Sequence, residues 1–193
     1  MASHAAPRPA RDADRTRAAI LHAAQHAFAT RGYAAAGVRE ITAAAGVNPA
    51  LVSRYFGSKE KLFEAALADL LDVSLLTEQP RENFGKRLVE TFVDASATGI
   101  NPLQILVLAT ADEGARAIAD RLVREMVLAP LAEWFGAPDG EHRAAQVMTL
   151  SSGLFTYRLL YRLPTWSGEL DPGSRAWLEH SFQSIVDWPV IEH

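Results

Sequence analysis

Cysteine is missing from this 193-residue chain, and with it go disulfide scaffolds, thiol catalysis and cysteine-ligated zinc. Long apolar runs are missing too. None approaches the roughly 20 residues a membrane helix requires, so no membrane span is expected. The N-terminus, MASHAAPRPARDADR, is polar and Arg-rich without an apolar stretch, so no secretory signal is expected. No segment alternates apolar and polar residues for long, which argues against a sheet. There is no phosphate-cradling glycine loop and no nucleophile elbow. His22 and His26 have the i,i+4 spacing of metal ligands, but no Glu follows His22 and both lie off the apolar stripe of their segment, so a solvated face is expected there. The expectation is a cytoplasmic helical protein with no cofactor, no metal and no membrane partner.

What is present is material for a core. Hydrophobic residues make up 49% and charged residues 22%, which excludes a disordered or collagen-like chain. The net charge of -4 is unevenly spread. Residues 1–65 carry nine basic side chains against five acidic ones, whereas the other 128 residues carry ten against eighteen. A basic module ahead of an acidic body points to a polyanionic partner for the first third alone; chance segregation of surface charge is the alternative.

Residues 1–13 hold two prolines and no periodicity, and read as a flexible arm. The recurrence of Ile20, Leu21, Ala24, Ala27 and Phe28 predicts a helix over Asp14–Thr30, capped by Asp14 and closed by Gly32. A second helix is predicted over Val38–Ala45. Gly46 then suits a left-handed turn, Asn48 a cap, and Pro49 the first position of a short third helix ending at Phe56. From Ser58, a candidate N-cap, the stripe Leu62, Phe63, Ala66, Leu67, Leu70 and Leu71 predicts a long helix to about Leu76. Further helices are expected over Asn83–Thr98, Pro102–Ala111, Glu113–Phe135, Glu141–Leu163 and Pro172–Trp188, separated by Gly- and Pro-rich breaks. The fold class is all-α, with about nine helices.

Two short helices joined by a glycine turn form the helix-turn-helix arrangement, whose second helix enters the DNA major groove. In the third helix Val52 and Phe56, four apart, turn inward toward Ile41 and Ala45. Asn48, Ala50, Leu51, Ser53, Arg54 and Tyr55 then face outward. Arg54 suits guanine edges or phosphate, Leu51 a thymine methyl, and the Tyr55 hydroxyl a phosphate. Ala50 lacks bulk and lets the backbone approach the groove. Lys59 lies in the first turn of the next helix, where free N–H groups favour a phosphate. Any small three-helix core would share the apolar half of this pattern, but not an arginine and a tyrosine exposed beside an Asn-Pro start.

The stretch Ile20–Phe63 resembles the DNA-binding domain of TetR-family transcriptional regulators. The resemblance is carried by Ile20-Leu21, Ala24, Phe28, Gly32-Tyr33, Val38-Arg39-Glu40-Ile41, Ala45-Gly46-Val47 and the run from Leu51 to Phe63. It implies three N-terminal DNA-binding helices, here residues 14–60. It also implies a larger ligand-binding and dimerisation domain, here 61–193, and a homodimer on a palindromic operator. Carried over by position, groove contacts fall on Asn48, Ala50, Leu51, Arg54 and Tyr55, with Lys59 on phosphate; Arg39 and Ser53 complete the DNA-facing set. The chain departs from the family in two places. Ala36-Gly37 stand where a Thr or Ser usually opens the second helix, and Ser53 stands where many members have an aromatic residue.

In the body, the predicted helix over Glu141–Leu163 has two apolar faces: Val147, Met148, Ser151, Leu154 and Phe155 on one, Leu150, Gly153, Tyr157 and Leu160 on the other. One face suits the domain's own core and the second a partner subunit, or both are internal. The resemblance, in which the last two helices form the dimer interface, favours the former. It places Leu150, Gly153, Tyr157, Trp177 and Ile185 at the interface of the homodimer. Candidate lining for a ligand cavity is Phe92, Ser96, Leu103, Leu106, Met126, Met148 and Phe155, each of which would serve equally as plain core. The expected partners are double-stranded operator DNA, a second copy of the chain and a small apolar or amphipathic effector that releases the DNA. An activator, or a regulator answering to a protein effector, is the alternative; a helical small-molecule-binding protein or enzyme is the remaining one.

Overall fold

A computed structural model describes residues 9–78, 80–94 and 99–189. Among these every regular element is helical. The first four are α1 (Pro9–Ala35), α2 (Val38–Ala44), α3 (Ala50–Tyr55) and α4 (Lys59–Ala68). A short α5 (Ser74–Thr77) follows. Next come α6 (Phe84–Val89), continued by a π turn (Glu90–Asp94), and α7 (Pro102–Ala109). Then α8 (Glu113–Val123) runs through a π turn (Arg124–Leu128) into α9 (Ala129–Phe135). The chain ends in α10 (Gly140–Phe155), with its own π turn (Thr156–Leu160), and α11 (Pro172–Asp187). No helix among the described residues is long and apolar enough to cross a membrane.

The N-terminal helices close on a small aromatic core. Phe28 and Phe63 are fully buried, with ring centroids 5.1 Å apart edge to face, and Tyr33 adds a second edge contact to Phe63 at 5.2 Å. Ile20, Ala24, Ile41, Val52, Leu62 and Ala66 fill the space around them. One polar strap crosses this core: the buried Gln25 carboxamide donates to the Ala66 carbonyl at 3.2 Å and to Asp69 at 2.8 Å, tying α1 to α4. The same buried cluster continues into the body, where α6 packs on α11, α9 on α10, and α7 against α1.

Several boundaries differ from those expected. Residues 9–13, read as part of a mobile arm, are the first turn of α1, so Asp14 lies inside the helix and caps nothing. Residues 1–8 lie outside the described set. Gly32 does break the helix, with φ 74° and ψ 172°, but one more turn follows to Ala35. The fourth helix stops at Ala68 rather than Leu76. Asp72 accepts the Ser74 N–H at 2.8 Å, so a local side-chain bond to the backbone displaces helical pairing in the polar interruption of an apolar stripe. The segment expected as a helix over Asn83–Thr98 starts as a 3-10 turn (Arg81–Asn83) and passes into a π turn after Val89; residues 95–98, including Ser96, lie outside the described set. The helix expected over Glu113–Phe135 has those ends but contains a π turn just before Pro130, which has no N–H to give the carbonyl four residues back.

Candidate nucleic-acid interface and interior cavity

The turn between α2 and α3 is built by local chemistry. Gly46 takes φ 67°, a left-handed setting glycine adopts without strain, and Asn48 Oδ1 accepts the Ala50 N–H at 2.9 Å. Ser58 caps α4 by accepting the Lys61 N–H at 3.2 Å. At the start of α2, where no hydroxyl stands, the Glu40 carboxylate accepts the Gly37 N–H at 3.3 Å and is clamped by Arg31 at 2.6 Å. A glutamate three residues on thus does from inside the helix part of what a capping side chain does from outside.

On α3 Val52 is buried, as is Phe56 just past its end, while Ala50, Ser53 and Arg54 are exposed, with Asn48 exposed just ahead. Arg39 is exposed on α2. Two side chains expected to point fully outward do not. Leu51 and Tyr55 are half-buried and pack against the core, because a helix of six residues on a small hydrophobic surface shares its flanking positions with that surface. Arg54 reaches back over the Tyr55 ring at 6.0 Å. Lys59 is also half-buried: its ammonium lies 4.5 Å over the Tyr33 ring and 3.4 Å from the Ala34 carbonyl, so it is held in place at the N-terminus of α4.

Tyr33 was named from sequence only as part of the family resemblance and not as a site residue, and Arg17, whose guanidinium lies 5.0 Å over the Phe56 ring, was not named as one either. The Tyr33 hydroxyl donates to Glu60 at 3.0 Å. Burial, then that bond and the charge of Glu60, push the phenol up to about 12. Glu60 is held below the usual carboxylate range, chiefly by the Ser58 hydroxyl. The contacts of Tyr33 with Glu60 and of Lys59 with Ala34 span 25 or more residues, so no spacing rule exposes them.

Behind this head lies a cavity of about 280 Å³. Phe92, Leu103, Leu106, Met148 and Phe155 line it together with Leu70–Val73 at the exit of α4, Asn101 and Ser151. Met126 does not; Val127 stands there instead, since the π turn adds a residue to the turn and shifts the register of a 3.6-residue count. The face of α10 opposite this cavity forms a second, open groove with α11, lined by Leu150, Gly153, Tyr157 and Trp177 among others. Tyr157 and Trp177 are about half exposed there, at 51% and 54%. Ile185 is not in the groove; it is half-buried on the core, and its carbonyl accepts from Arg143 at 3.3 Å. His22 and His26 meet edge to face at 4.8 Å on an exposed surface, and no group of three metal-ligating side chains occurs among the described residues.

A reading helix set on a buried core, with exposed polar and basic residues along one edge and a helical body behind it, defines a helix-turn-helix DNA-binding protein. A family model described as bacterial regulatory proteins, tetR family, matches residues 20–66, and one described as tetracyclin repressor-like, C-terminal domain, matches residues 82–186. The chain belongs to the TetR family of transcriptional regulators. It is 51% identical over 53 residues to the HTH-type transcriptional repressor Rv3405c of Mycobacterium tuberculosis, a match covering 28% of each chain. Among solved structures it is similar to a TetR-family regulator, SCO0857, from Streptomyces coelicolor (26% identity, 95% and 99% of the two chains, TM-score 0.57). It also shares its fold with NalD, the secondary repressor of the MexAB-OprM multidrug efflux pump in Pseudomonas aeruginosa (22% identity, 90% and 96%, TM-score 0.60). The family makes this chain a DNA-binding regulator rather than an enzyme.

Proposed function

We propose that the chain is a homodimeric repressor that leaves a palindromic operator when a small apolar molecule enters its interior cavity. The observation that carries the reading is the division of α3 and its C-cap into buried Val52 and Phe56 and exposed Ser53 and Arg54, next to a Lys59 fixed at the start of α4. Asn48, Ala50, Leu51, Arg54 and Tyr55 read the groove, and Arg39, Ser53 and Lys59 flank it or hold phosphate. Residues 14–60 act as the reading unit and 61–193 as the effector and dimer unit. The exposed α10–α11 face, with Tyr157, Leu160, Leu163 and Trp177, is where a second copy docks. Two reading helices then face DNA about 34–36 Å apart, or a multiple of that.

Support for effector control comes from the walls of the cavity. Its lining includes the segment that follows α4, Leu70–Val73, and one face of α7, while Leu108 of α7 abuts Gly32 of α1, an ideal Cβ on that glycine standing 3.3 Å from the leucine Cβ. Arg121 of α8 also grips Glu64 of α4 at 2.5 Å. A ligand that prefers another setting of α4 or α7 shifts the head through these contacts and lowers operator affinity by coupling. The test is selection of bound duplexes from a random DNA pool. A palindrome is expected, and failure to enrich any duplex refutes the reading.

A further inference from the structure

We propose that the interior cavity takes an uncharged apolar compound carrying a single hydrogen-bonding group, that this group meets the Ser151 hydroxyl, and that carboxylates are turned away. The inference rests on the reading of this cavity as the effector site and names the chemistry it selects.

Its origin is a hydroxyl without a partner. Ser151, on α10, is 4% exposed, and its Oγ is buried and makes no hydrogen bond. Serine and threonine in a helix commonly bond to the carbonyl one turn back. Thr149 does so to Ala145 at 2.8 Å and Thr156 to Ser152 at 2.7 Å, on either side of Ser151 in the same helical run. Ser151 does not, and it lines the cavity. A buried hydroxyl left unmade is costly, so a ligand that brings one donor or acceptor to it gains more than the new bond alone.

The rest of the lining defines the remainder of the ligand. Aliphatic, aromatic and thioether side chains dominate, and Thr91 and Ser152 add the other hydroxyls of the lining. Asn101 Oδ1 is already occupied by the Leu103 N–H at 2.9 Å, and Asp72 Oδ1 by the Ser74 N–H at 2.8 Å. Asp72 is the one charged residue lining the cavity among the described residues; no Lys, Arg or His joins it. A carboxylate entering here would lose its water and find no counter-charge, since Asp72 itself is exposed at the edge of the cavity. The volume equals about nine waters in the liquid, room for a compound of two fused rings.

The test is isothermal titration of the full chain, at neutral pH and without DNA, with four probes on one skeleton: 2-naphthol, naphthalene, 2-naphthoate and 2-naphthylmethylammonium. 2-Naphthol is expected to bind tightest, with naphthalene about three- to tenfold weaker for want of one hydrogen bond. The ammonium is expected to be weaker than the naphthol, and the carboxylate not to saturate. Ser151→Ala should lose the same three- to tenfold on 2-naphthol, keep its affinity for naphthalene, and melt at or above the wild-type temperature because an unmet hydroxyl is gone. A serine with a merely structural role would instead lower the melting temperature. Leu106→Trp, which fills the cavity, should abolish binding of all four. The proposal is overturned if either charged probe matches 2-naphthol or if Ser151→Ala weakens 2-naphthol and naphthalene equally. It also fails if Ser151→Ala melts lower, if Leu106→Trp still binds, or if no probe saturates. Since the titrations contain no DNA, their failure leaves operator recognition standing, and a missing operator leaves their success standing.

Discussion

Replacing Gly32 by alanine tests whether the reading head and the body meet where the structure places them. Gly32 is buried, with φ 74° and ψ 172°, a region essentially confined to glycine. Holding a residue with a Cβ there costs about 1–3 kcal/mol. The added Cβ would stand 3.3 Å from the Leu108 Cβ, just inside the roughly 3.5–4.0 Å at which carbons pack best, so Leu108 must give by a few tenths of an ångström; the Leu108 carbonyl oxygen, at 3.6 Å, is in ordinary contact. Overpacking of this kind adds about 1 kcal/mol, giving a total near 2–4 kcal/mol. For a chain of this length each kcal/mol lowers Tm by about 2–4 °C, so a fall of roughly 4–16 °C is expected. The assay is thermal unfolding followed by circular dichroism at one fixed protein concentration, because dimerisation makes Tm concentration-dependent. Leu108→Gly in the same background separates the two terms: it removes the crowded Cβ and leaves the dihedral strain, so a double-mutant cycle should return only the smaller share. A loss below about 0.5 kcal/mol, the usual size for a surface change, would refute the backbone setting. A cycle that assigns the whole loss to Leu108 would refute the strain argument. Because α7 also carries Leu103 and Leu106 into the cavity, the same variant should weaken the effect of a bound effector on operator affinity.

Other outcomes follow from the same geometry. Arg54→Ala should weaken operator binding in a fluorescence-anisotropy titration while leaving Tm near wild type, since the side chain is exposed; full affinity would mean that α3 faces the wrong way. Lys59→Ala should weaken binding to all duplexes alike and reduce the slope of log K against log salt by about one, and an unchanged slope would remove Lys59 from the phosphate contacts. Gly153→Glu should leave the protomer folded, as nothing lies within 4 Å of a Cβ there, yet place a carboxylate in the docking face; sedimentation should then show monomers, and an intact dimer would move the interface elsewhere. Tyr33 has its phenol raised to about 12 from the ordinary 10, so the folded state keeps a proton that the unfolded chain has already lost between those values. Its contribution is complete below pH 10 and disappears as pH rises toward 12, and Tyr33→Phe should flatten that alkaline limb of a Tm–pH curve.

Much of the reading head was legible because its determinants are local. Gly46, Asn48 and Ser58 act within four residues of themselves, and the buried set Ile20, Ala24, Phe28, Ile41, Val52 and Phe56 is a matter of helical period. Asp112 ahead of α8 and Asp171 ahead of α11 are caps of the same kind, each accepting a backbone N–H at 2.9 Å. What was misplaced depended on neighbours instead. Leu51 and Tyr55 lie on the flank of α3, and whether such positions are wet or packed is settled by α-helices distant in sequence. The early end of α4 came from one aspartate competing for a backbone N–H, and the exchange of Met126 for Val127 from a π turn ahead of Pro130.

The chain by itself therefore determined that it is helical throughout its periodic segments, that a glycine turn joins α2 to α3, and that basic charge is concentrated in the first third. Those properties follow from side-chain period, backbone preference and charge, which act over a few residues. Tertiary structure alone decided which groups meet across the fold. It set Lys59 over Tyr33, Leu108 against Gly32, Glu64 beside Arg121, and the hydroxyl of Ser151 without a partner in an apolar cavity. Each of these depends on how helices cross rather than on how any helix forms, and a crossing is fixed by the joint packing of side chains that the linear order keeps apart.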